Sequence, residues 1–242
     1  MAPVSTIEAG VLSVASAFPD PPFEVEQDGV DAGLDAELME LVCGRLGLRR
    51  GPVRYGGDDF NGIFDGLGAR TYDAVISGTT ITAEREKVAL FCDPYLESGQ
   101  SLAVNVARTP HVTSVDDLAG LVVGIQIGNT SDAVARDLER HGKIAAIRYY
   151  PYGGISDALD DLSAGRIGGF IKLLPVLTWL TSTRPELRVV QEIPTHERIG
   201  IAVALDNAPL RDAVNKVLAD LRRSGDLVRL TDRWLRQSVR NS

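Results

Sequence analysis

The segment 72–85, which reads YDAVISGTTITAER, limits the possible fold more than any other part of the sequence. Its apolar run at 72–76 is short and partly β-branched, which is typical of a buried strand, and it ends abruptly in small hydroxylated residues. Thr82, followed by Ala-Glu-Arg, has the pattern of an N-cap that opens a helix. The sequence therefore predicts a strand, a loop at 78–82 and a helix, and the alternation of strands and helices along the chain predicts an α/β fold.

The predicted loop has the chemistry of an anion-binding site. Such a loop offers backbone N–H groups and hydroxyl donors, with the positive end of a helix dipole behind them. Arg85 would lie in the first turn of the helix, where the dipole mildly disfavours a positive charge, and a bound carboxylate would explain its presence. A guanidinium can hold a carboxylate through two parallel hydrogen bonds, and the hydroxyl of Thr79 or Thr80 can satisfy the remaining lone pairs. Solvent exposure or pairing with a nearby glutamate would also explain this arginine, so both interpretations stay open.

The same segment resembles the signature of the family 3 extracellular solute-binding proteins, the amino-acid-type receptors of ABC importers. That signature is a strand ending in Asp-x-x-x-Ser-Gly, then a hydroxyl residue and Ile-Thr, and an Arg three residues later. The resemblance implies that Arg85 holds the α-carboxylate of a ligand and that Gly78 and Thr80 complete its cradle. Ser77 and Thr79 lie beside them and are included in the candidate site.

Two further motifs extend the resemblance. Residues 91–95 match the family's Phe-x-Asp-Pro-Tyr. A second junction of strand, loop and helix follows, and its loop corresponds to the family's Gln-x-Gly-Thr-Thr, which binds the same carboxylate from the second lobe. The resemblance implies that Gly128, Asn129 and Thr130 take those positions. Judged from the residues alone, this loop is an ordinary helix N-cap.

Aromatic residues at two places are candidates for covering the ligand. A proline-rich turn at 18–23 is stiff, because prolines forbid both helix and ladder pairing. The family has an aromatic residue over the ligand in this turn; Asp20 stands at that position here, and Phe18 can supply a ring from two residues earlier. Phe60 stands where the family often carries an aromatic wall of the pocket. Packing into the core is the alternative for each ring, and it is the preferred interpretation for Phe23.

The sequence departs from the family where the family binds the α-ammonium of an amino acid. Alignment without gaps places Leu173 at the position of the family's Asp, and an acidic residue common after the first strand corresponds to Ala17. A leucine cannot neutralise an ammonium, and burying an unpaired charge is costly. Lys172 suggests a more positive second lobe suited to a ligand with a second acidic group, or else an exposed lysine at a strand end. The lost charge can alternatively come from Asp20, Asp58 or Asp59.

Charge and hydropathy limit the partners and the compartment. The chain has 25 Lys and Arg against 33 Asp and Glu, a net charge of −8 without any basic run, so neither nucleic acid nor an anionic membrane surface is an expected partner. No apolar stretch has the length of a membrane span, and residues 1–6 lack the regions of a signal peptide. The chain is therefore expected to be either a trimmed mature form, in the periplasm or at the cell surface, or a cytoplasmic protein.

Neither a metal nor a cofactor is expected. The 3 histidines are scattered, and the 2 cysteines do not have the spacing of metal ligands. Cys43 and Cys92 are predicted to be two buried free thiols, with one disulfide as the alternative.

With 242 residues, the chain can form one large domain or two small lobes. The resemblance, which covers residues 11–235, implies two Rossmann-like lobes joined by a two-strand hinge, as in type II periplasmic binding proteins, with a ligand cleft between the lobes. Lobe 1 is expected to comprise residues 1–104 and 197–242, and lobe 2 to comprise residues 105–196.

Together, the motifs and the resemblance predict a monomeric, non-enzymatic receptor of an ABC importer. It would capture a small carboxylate-bearing solute, an amino acid or a related organic acid, by lobe closure, and the importer's membrane subunits would recognise the closed form. A ligand-sensing module without a transport role is one alternative. An enzyme on the same fold, resembling a cyclohexadienyl dehydratase, is another and would need a general acid in the cleft. Leu173, in place of an acidic residue, argues against the enzyme.

Overall fold

The computed structural model describes residues 4–240, and it describes side chains for residues 4–235. These residues form two compact units. Unit 1 comprises residues 4–56, Asn61–Glu97 and Glu197–Arg236, and unit 2 comprises Gly57–Phe60, Ser98–His196 and residues 237–240. The sequence places the first boundary between residues 104 and 105, whereas these units divide between Glu97 and Ser98, inside one continuous strand.

Strands and helices alternate along most of the chain. The strands are β1 (Val11–Ala17), β2 (Val25–Gln27), β3 (Val30–Ala32), β4 (Arg49–Tyr55), β5 (Ala74–Val75), β6 (Leu90–Phe91), β7 (Leu96–Asn105), β8 (Val122–Gln126), β9 (Ala146–Tyr150), β10 (Gly169–Leu173), β11 (Leu187–Ile199) and β12 (Ala202–Val203). The α-helices are α1 (Leu34–Leu46), α2 (Asp65–Gly68), α3 (Ser131–Arg140), α4 (Ile155–Ala164), α5 (Leu174–Ser182), α6 (Ala208–Ser224) and α7 (Asp226–Arg240). Short 3-10 turns lie at Phe60–Phe64, Arg85–Lys87, Val115–Asp117 and Tyr152–Gly154. Within residues 4–240, no helix is both long enough and apolar enough to cross a bilayer.

Unit 1 is built on a sheet whose strands lie in the order β4-β1-β5-β12-β6. β1 pairs in parallel with β4 and β5, and β12 runs antiparallel to β5 and β6. Leu12 and Val14 of β1 are buried, as expected for an interior strand covered by helices. Because β5 has only the residues Ala74 and Val75, the loop that follows it begins in the middle of the sheet.

Asp73 fixes the start of β5. Its carboxylate accepts hydrogen bonds from the Ser13 N–H at 2.9 Å and from the Ser13 hydroxyl at 2.7 Å. The Ile7 N–H donates to its other oxygen at 2.8 Å. In this chain, the Asp that begins the solute-binding signature therefore joins β1 to β5 and holds the strand from which the loop leaves.

Unit 2 is built on a second sheet, in the order β11-β7-β10-β8-β9. β8 pairs in parallel with β9 and β10, while β10 runs antiparallel to β7. Side chains alternate along β10, so Ile171 packs on the face covered by α3 and Phe170 on the face covered by α4. Since β8, β9 and β10 are parallel, their last residues, Gln126, Tyr150 and Leu173, lie at the same edge of the sheet.

Several helix ends agree with the sequence signals. α1, α4 and α6 each end at a glycine in the left-handed conformation, namely Gly47, Gly165 and Gly225. Ser114 and Asp117 have the sequence pattern of a capping box, and the box is present, although it begins a 3-10 turn rather than an α-helix. Ser156 has the residue type of an N-cap, but it does not cap α4, which begins at Ile155.

The helix predicted after Thr82 is a single 3-10 turn, Arg85–Lys87. The sequence pattern at 61–67 also predicts a helix, but this segment begins as a 3-10 turn and continues only as the short α2. A single turn has no summed dipole comparable to that of an α-helix. The helix-dipole part of the anion-site prediction is therefore wrong, and the site depends on its side chains.

The sequence pattern predicts two strands, at 187–191 and at 198–205, whereas the structure has the long β11 and the short β12, with a break at Gly200. The Gly200 N–H donates to the Thr79 carbonyl at 2.9 Å rather than continuing β11. A Cβ at Gly200 would lie 2.9 Å from the Cδ1 atom of Ile81, so a larger residue here would require the Ile81 side chain to move.

The cysteines behave as the sequence predicts. Cys43 and Cys92 are free and buried, which confirms the interpretation as two buried thiols. Burial raises the pKa of the Cys43 thiol to about 11 and also raises the pKa of Cys92. Both thiols therefore stay protonated near neutral pH.

Candidate functional site

The loop after β5 is held to the end of β11 and to Gly200, which follows it. The Ile81 N–H donates to the Arg198 carbonyl at 2.8 Å, and Thr80 forms an isolated bridge with Ile199. Together with the bond from Gly200, these contacts fix the backbone of the loop over several residues. The loop is thus part of the rigid centre of unit 1, although it lies outside any regular strand or helix.

Arg85 is buried, with 6% of its surface exposed. Its guanidinium donates to the Thr80 carbonyl at 2.9 Å and to the Asn61 side-chain oxygen at 3.4 Å. The same group lies over the Phe64 ring, 5.4 Å from its centre. The Arg85 N–H donates to the Thr82 hydroxyl at 3.2 Å, although the N-cap residue of this turn is Glu84 and not Thr82 as predicted. The alternative interpretation of Arg85 as a solvated surface residue is therefore wrong. These contacts fix the plane of its guanidinium from several sides.

The hydroxyls of the loop differ in their partners. The Thr80 hydroxyl is buried and donates to the carboxylate of Glu197, a residue that is itself buried. The Ser77 hydroxyl accepts from the Ala17 N–H at 3.0 Å. The Thr79 hydroxyl is fully buried and has no hydrogen-bond partner. Thr80, which the resemblance assigns to the ligand, is therefore already engaged as a donor inside the protein.

Gly78 adopts a positive φ of 51°, and its N–H donates to the Asp35 carboxylate at 2.7 Å. A Cβ here would lie 3.0 Å from the Phe23 ring, which is fully buried and packs in the core as predicted. The Gly78 amide has its acceptor inside unit 1, which differs from the role expected for it as a donor to a ligand. Gly78 thus shapes the loop, and its conformation favours glycine.

A buried acidic cluster under this loop was not predicted from the sequence. Burial raises the pKa of Glu24 well above its usual range, and the neighbouring charge of Asp35 adds to the rise. Burial likewise raises the pKa of Asp35 to about 6, opposed by hydrogen bonds from the Tyr95 hydroxyl and the Gly78 N–H. Asp35 lies in the first turn of α1, where acidic residues are common, so its residue type alone does not mark a buried cluster.

The proline-rich turn forms a compact loop before β2. The Asp20 N–H donates to the Glu24 carbonyl at 3.1 Å, and the Asp20 carbonyl accepts from the N–H groups of Phe23 and Glu24. Asp20 is buried. The half-buried Phe18 ring lies under the Arg54 guanidinium, 4.7 Å from its centre. The ligand-covering role of Phe18 and Asp20 remains a prediction.

In unit 2, the loop after β8 leads directly into α3. Gly128 has a positive φ of 81°, and the Asn129 N–H donates to the Gln126 carbonyl at 3.3 Å. The Thr130 hydroxyl accepts from the Gln100 side-chain amide at 3.1 Å. Ser131, the first residue of α3, has a fully buried hydroxyl without a hydrogen-bond partner. This loop is the predicted junction of strand, loop and helix, and its residues 127–130 are only half-buried.

Aromatic and charged side chains gather at the same edge of the second sheet. Phe60 belongs to unit 2, where its ring lies 5.0 Å from that of Tyr152 and its N–H donates to the Ile127 carbonyl at 3.3 Å. Lys172 is 2% exposed and donates to the Gln126 side-chain oxygen at 2.7 Å. Leu173 is buried as well. The interpretation of Lys172 as an exposed lysine is wrong, because its ammonium is buried in contact with Gln126 and the Tyr152 ring.

The candidate residues therefore form two groups, described here separately. The group in unit 1 consists of Ser77, Gly78, Thr79, Thr80, Arg85, Phe18 and Asp20. The group in unit 2 consists of Phe60, Gly128, Asn129, Thr130, Lys172 and Leu173. Sequence reasoning missed Glu197, Asn61 and Tyr152, which contact Thr80, Arg85 and Lys172 respectively. These contacts join residues far apart in the chain, and no local motif marks them.

Comparisons with known proteins agree with this architecture. The profile of the bacterial extracellular solute-binding proteins, family 3, matches residues 12–237. ABC transporter arginine-binding protein 1 of Escherichia coli (strain K12) is 30% identical over 223 residues, which are 90% of this chain and 87% of that protein. Among solved structures, an ancestral arginine-binding protein bound to arginine is 29% identical, with a TM-score of 0.85 over 93% of this chain and 98% of that chain. The ancestral amino acid-binding protein AncCDT-1, a precursor of cyclohexadienyl dehydratase, is 28% identical, with a TM-score of 0.82 over 93% of this chain and 95% of that chain.

These matches span nearly the whole chain and confirm the predicted fold class, the two-lobed α/β architecture of type II periplasmic binding proteins. The relatives are amino-acid-binding proteins of ABC transporters, which supports a solute-binding receptor. By its sequence and by its fold, the chain belongs to the bacterial extracellular solute-binding proteins, family 3.

Proposed function

We propose that this protein is the receptor of an ABC importer for a small carboxylate-bearing solute. The observation that carries the proposal is the buried guanidinium of Arg85, oriented by the Thr80 carbonyl, the Asn61 side chain and the Phe64 ring. A planar guanidinium recognises a carboxylate through two parallel hydrogen bonds, and this requires its plane to be fixed in advance. The contacts of Arg85 meet that requirement.

The loop of unit 2 is the second element of the proposal. Its backbone N–H groups at 128–130 and the start of α3 would donate hydrogen bonds to the same carboxylate, in keeping with the resemblance. The solute would then favour the closed state in which both sets of contacts form, and the importer's membrane subunits would recognise that state. In this role the protein would act as a monomer in the periplasm or at the cell surface, where members of its family act.

Titration calorimetry with Arg85→Ala tests the proposal. Thermal-shift screening of amino acids, polyamines, and mono- and dicarboxylic acids would first identify a ligand, since about a hundred times Kd of ligand adds roughly 2.7 kcal/mol of stability. We expect Arg85→Ala to weaken binding of that ligand by roughly 1.5–3 kcal/mol, the value of a charge-assisted hydrogen bond. Arg70→Ala removes an exposed arginine that pairs with Asp206 and should leave affinity unchanged. Equal affinities for Arg85→Ala and the parent protein would contradict the proposal.

An enzyme on this fold is the second candidate, because AncCDT-1 is described as a precursor of cyclohexadienyl dehydratase. A dehydratase needs a general acid, and the buried Glu197 carboxyl, which accepts from the Thr80 hydroxyl, is a candidate in unit 1. Leu173 stands where the family has an acidic residue, which favours the receptor. Incubation with cyclohexadienyl acids, followed by chromatography for the aromatic product, separates the two functions.

A further inference from the structure

Glu24 is a buried carboxyl group that receives no hydrogen bond. Only 1% of its surface is exposed, and both of its carboxyl oxygens are buried without a hydrogen-bond partner. An ionised carboxylate in this position would lose its hydration and gain no donor in exchange, which is strongly unfavourable. Glu24 is therefore expected to carry a proton.

Asp35 is equally buried, but its carboxylate has two donors. The Tyr95 hydroxyl donates to one of its oxygens at 2.6 Å, and the Gly78 N–H donates to the other at 2.7 Å. Asp35 also lies in the first turn of α1, where the positive end of the helix dipole favours a negative charge. Of the two acids, Asp35 is therefore the one that can hold a charge.

The backbone of unit 1 keeps the two carboxyl groups together. The Leu34 N–H donates to the Pro22 carbonyl at 2.9 Å, and the Asp35 N–H donates to the Phe23 carbonyl at 3.2 Å. A Cβ at Gly33 would collide with that Phe23 carbonyl, so glycine allows the start of α1 to approach the turn this closely. Two neighbouring buried acids repel each other strongly when both are ionised, so their protonation states depend on each other.

The other titratable groups that face the pair are Asp20 and Tyr95. Among residues 4–235, none forms an ion pair with Glu24 or Asp35. Burial therefore raises the pKa of Glu24 well above its usual range and that of Asp35 to about 6. Burial beside these acids also raises the pKa of Tyr95, so its hydroxyl stays a donor.

We propose that Glu24 and Asp35 form a proton-binding pair, in which Glu24 keeps its proton and Asp35 exchanges one, and that the charge on Asp35 sets how firmly the loop after β5 is held. The link is the Gly78 N–H, which donates to the Asp35 carboxylate. Hydrogen bonds to ionised acceptors are stronger than those to neutral ones, so this bond strengthens when Asp35 loses its proton. The inference goes beyond the proposed function, because it concerns proton binding and requires no solute.

Nuclear magnetic resonance of the Gly78 amide tests the link to the loop. We expect its chemical shift to titrate with a midpoint near pH 6, because the charge of its acceptor changes there. Exchange of this amide with solvent, corrected for the intrinsic rate, should be slower above the midpoint than below it. Asp35→Asn keeps an oxygen acceptor that cannot titrate, so both changes should disappear. A Gly78 amide that does not titrate, or one that still titrates in Asp35→Asn, overturns the proposal.

Glu24→Gln tests whether Glu24 is the protonated member of the pair. Glutamine has the shape and the neutral charge of a protonated glutamate, so the Gly78 midpoint should stay near pH 6 in this variant. An ionised Glu24 predicts the opposite, since removal of a neighbouring negative charge would lower the midpoint by about one pH unit or more. Glu26→Gln removes an exposed glutamate that pairs with Arg54, and it should leave the midpoint unchanged. A midpoint lowered in Glu24→Gln but not in Glu26→Gln would refute the assignment.

Carbon-13 labelling of the glutamate carboxyl groups gives a second result, on the parent protein itself. We expect one glutamate to keep the shift of a protonated acid at pH 7, where exposed glutamates are ionised. This resonance should be missing in Glu24→Gln and present in Glu26→Gln. Spectra in which every glutamate is ionised at pH 7 would disprove the proposal, even if Asp35→Asn does not fold.

Discussion

The two loops that carry the candidate residues differ in how their polar groups are satisfied. In unit 1, Ser77, Gly78 and Thr80 each bond to a group inside the protein, and Arg85 is held by neighbours on several sides. In unit 2, residues 127–130 are half-buried, and the fixed group is the Lys172 ammonium. The contrast indicates that bonds inside the protein already fix the loop of unit 1, whereas the loop of unit 2 is more accessible to solvent.

Replacing a large aromatic ring in the core of each unit would give the largest effect on the free energy of unfolding. It would also test whether ligand binding by the loop of unit 1 depends on the ring that packs against it. Phe23→Ala and Phe170→Ala should each lower the free energy of unfolding by about 3–5 kcal/mol, because both rings are fully buried. Phe23 packs against Gly78, so its loss should also weaken carboxylate binding at temperatures where the variant is folded. Chemical denaturation and calorimetry measure both quantities. Equal loss of affinity in the two variants would remove the contrast between the loops.

The buried acids of unit 1 give the next largest effect, as a function of pH. Unfolded Asp35 loses its proton near its usual pKa of 3.8, whereas the folded protein holds that proton until its pKa of about 6. The folded state therefore binds more protons between these values, and the contribution of Asp35 to stability falls as pH rises through this window. Replacing both acids, with Glu24→Gln and Asp35→Asn, should remove this loss. Relative to the parent protein, the double variant should become more stable as pH rises from 4 to 7, and the Asp35 part of that gain is about 3 kcal/mol, at about 1.4 kcal/mol per pKa unit.

Asp161 of unit 2 provides a control, because its pKa is shifted in the opposite direction to that of Asp35. Hydrogen bonds from Tyr150 and Arg166 lower its pKa, so its contribution to stability is present above the unfolded pKa and is lost as pH falls through the folded one. Asp161→Asn should therefore lower stability at neutral pH, with the difference shrinking in acid. Denaturation curves in a series of buffers measure both trends. The same slope in the acid variants of both units would contradict the assignment of the pH effect to the cluster in unit 1.

The smallest expected effect is a difference in stability between two threonine variants, one in each loop. Thr80→Val removes a hydrogen-bond donor from the buried Glu197 carboxylate and should lower stability by about 1–3 kcal/mol. Thr130→Val removes an acceptor from the Gln100 amide at a half-buried position and should cost only about 0.5–1.5 kcal/mol. Denaturation midpoints at constant pH measure the difference. A larger loss in Thr130→Val would show that the unit 2 loop is the more tightly held of the two.

Local signals predicted much of this structure correctly. Glycines mark the ends of α1, α4 and α6, and the Ser114 capping box forms, because these features depend on a few adjacent residues. The helix predicted after Thr82 is limited to one turn for a non-local reason: the chain enters β6 at Leu90, where it pairs with β12. Sequence periodicity cannot show such a contact.

In the candidate site, too, the local motif predicts some features, and the others depend on residues distant in the sequence. The motif located Arg85 correctly in a buried position, but the partners that orient it come from other elements of unit 1. For Lys172, the sequence allows an exposed side chain, since a lysine at a strand end usually reaches solvent. Its burial depends on Gln126 and Tyr152, which lie 46 and 20 positions away in the sequence.

The buried thiols make this protein convenient for optical measurement. Cys43 and Cys92 are shielded and hold their protons near neutral pH, so neither should react readily with a maleimide dye. A single cysteine introduced on the surface would then be labelled selectively in the otherwise unaltered chain. Such a fluorescent form would report binding directly from its emission, without removal of the native cysteines.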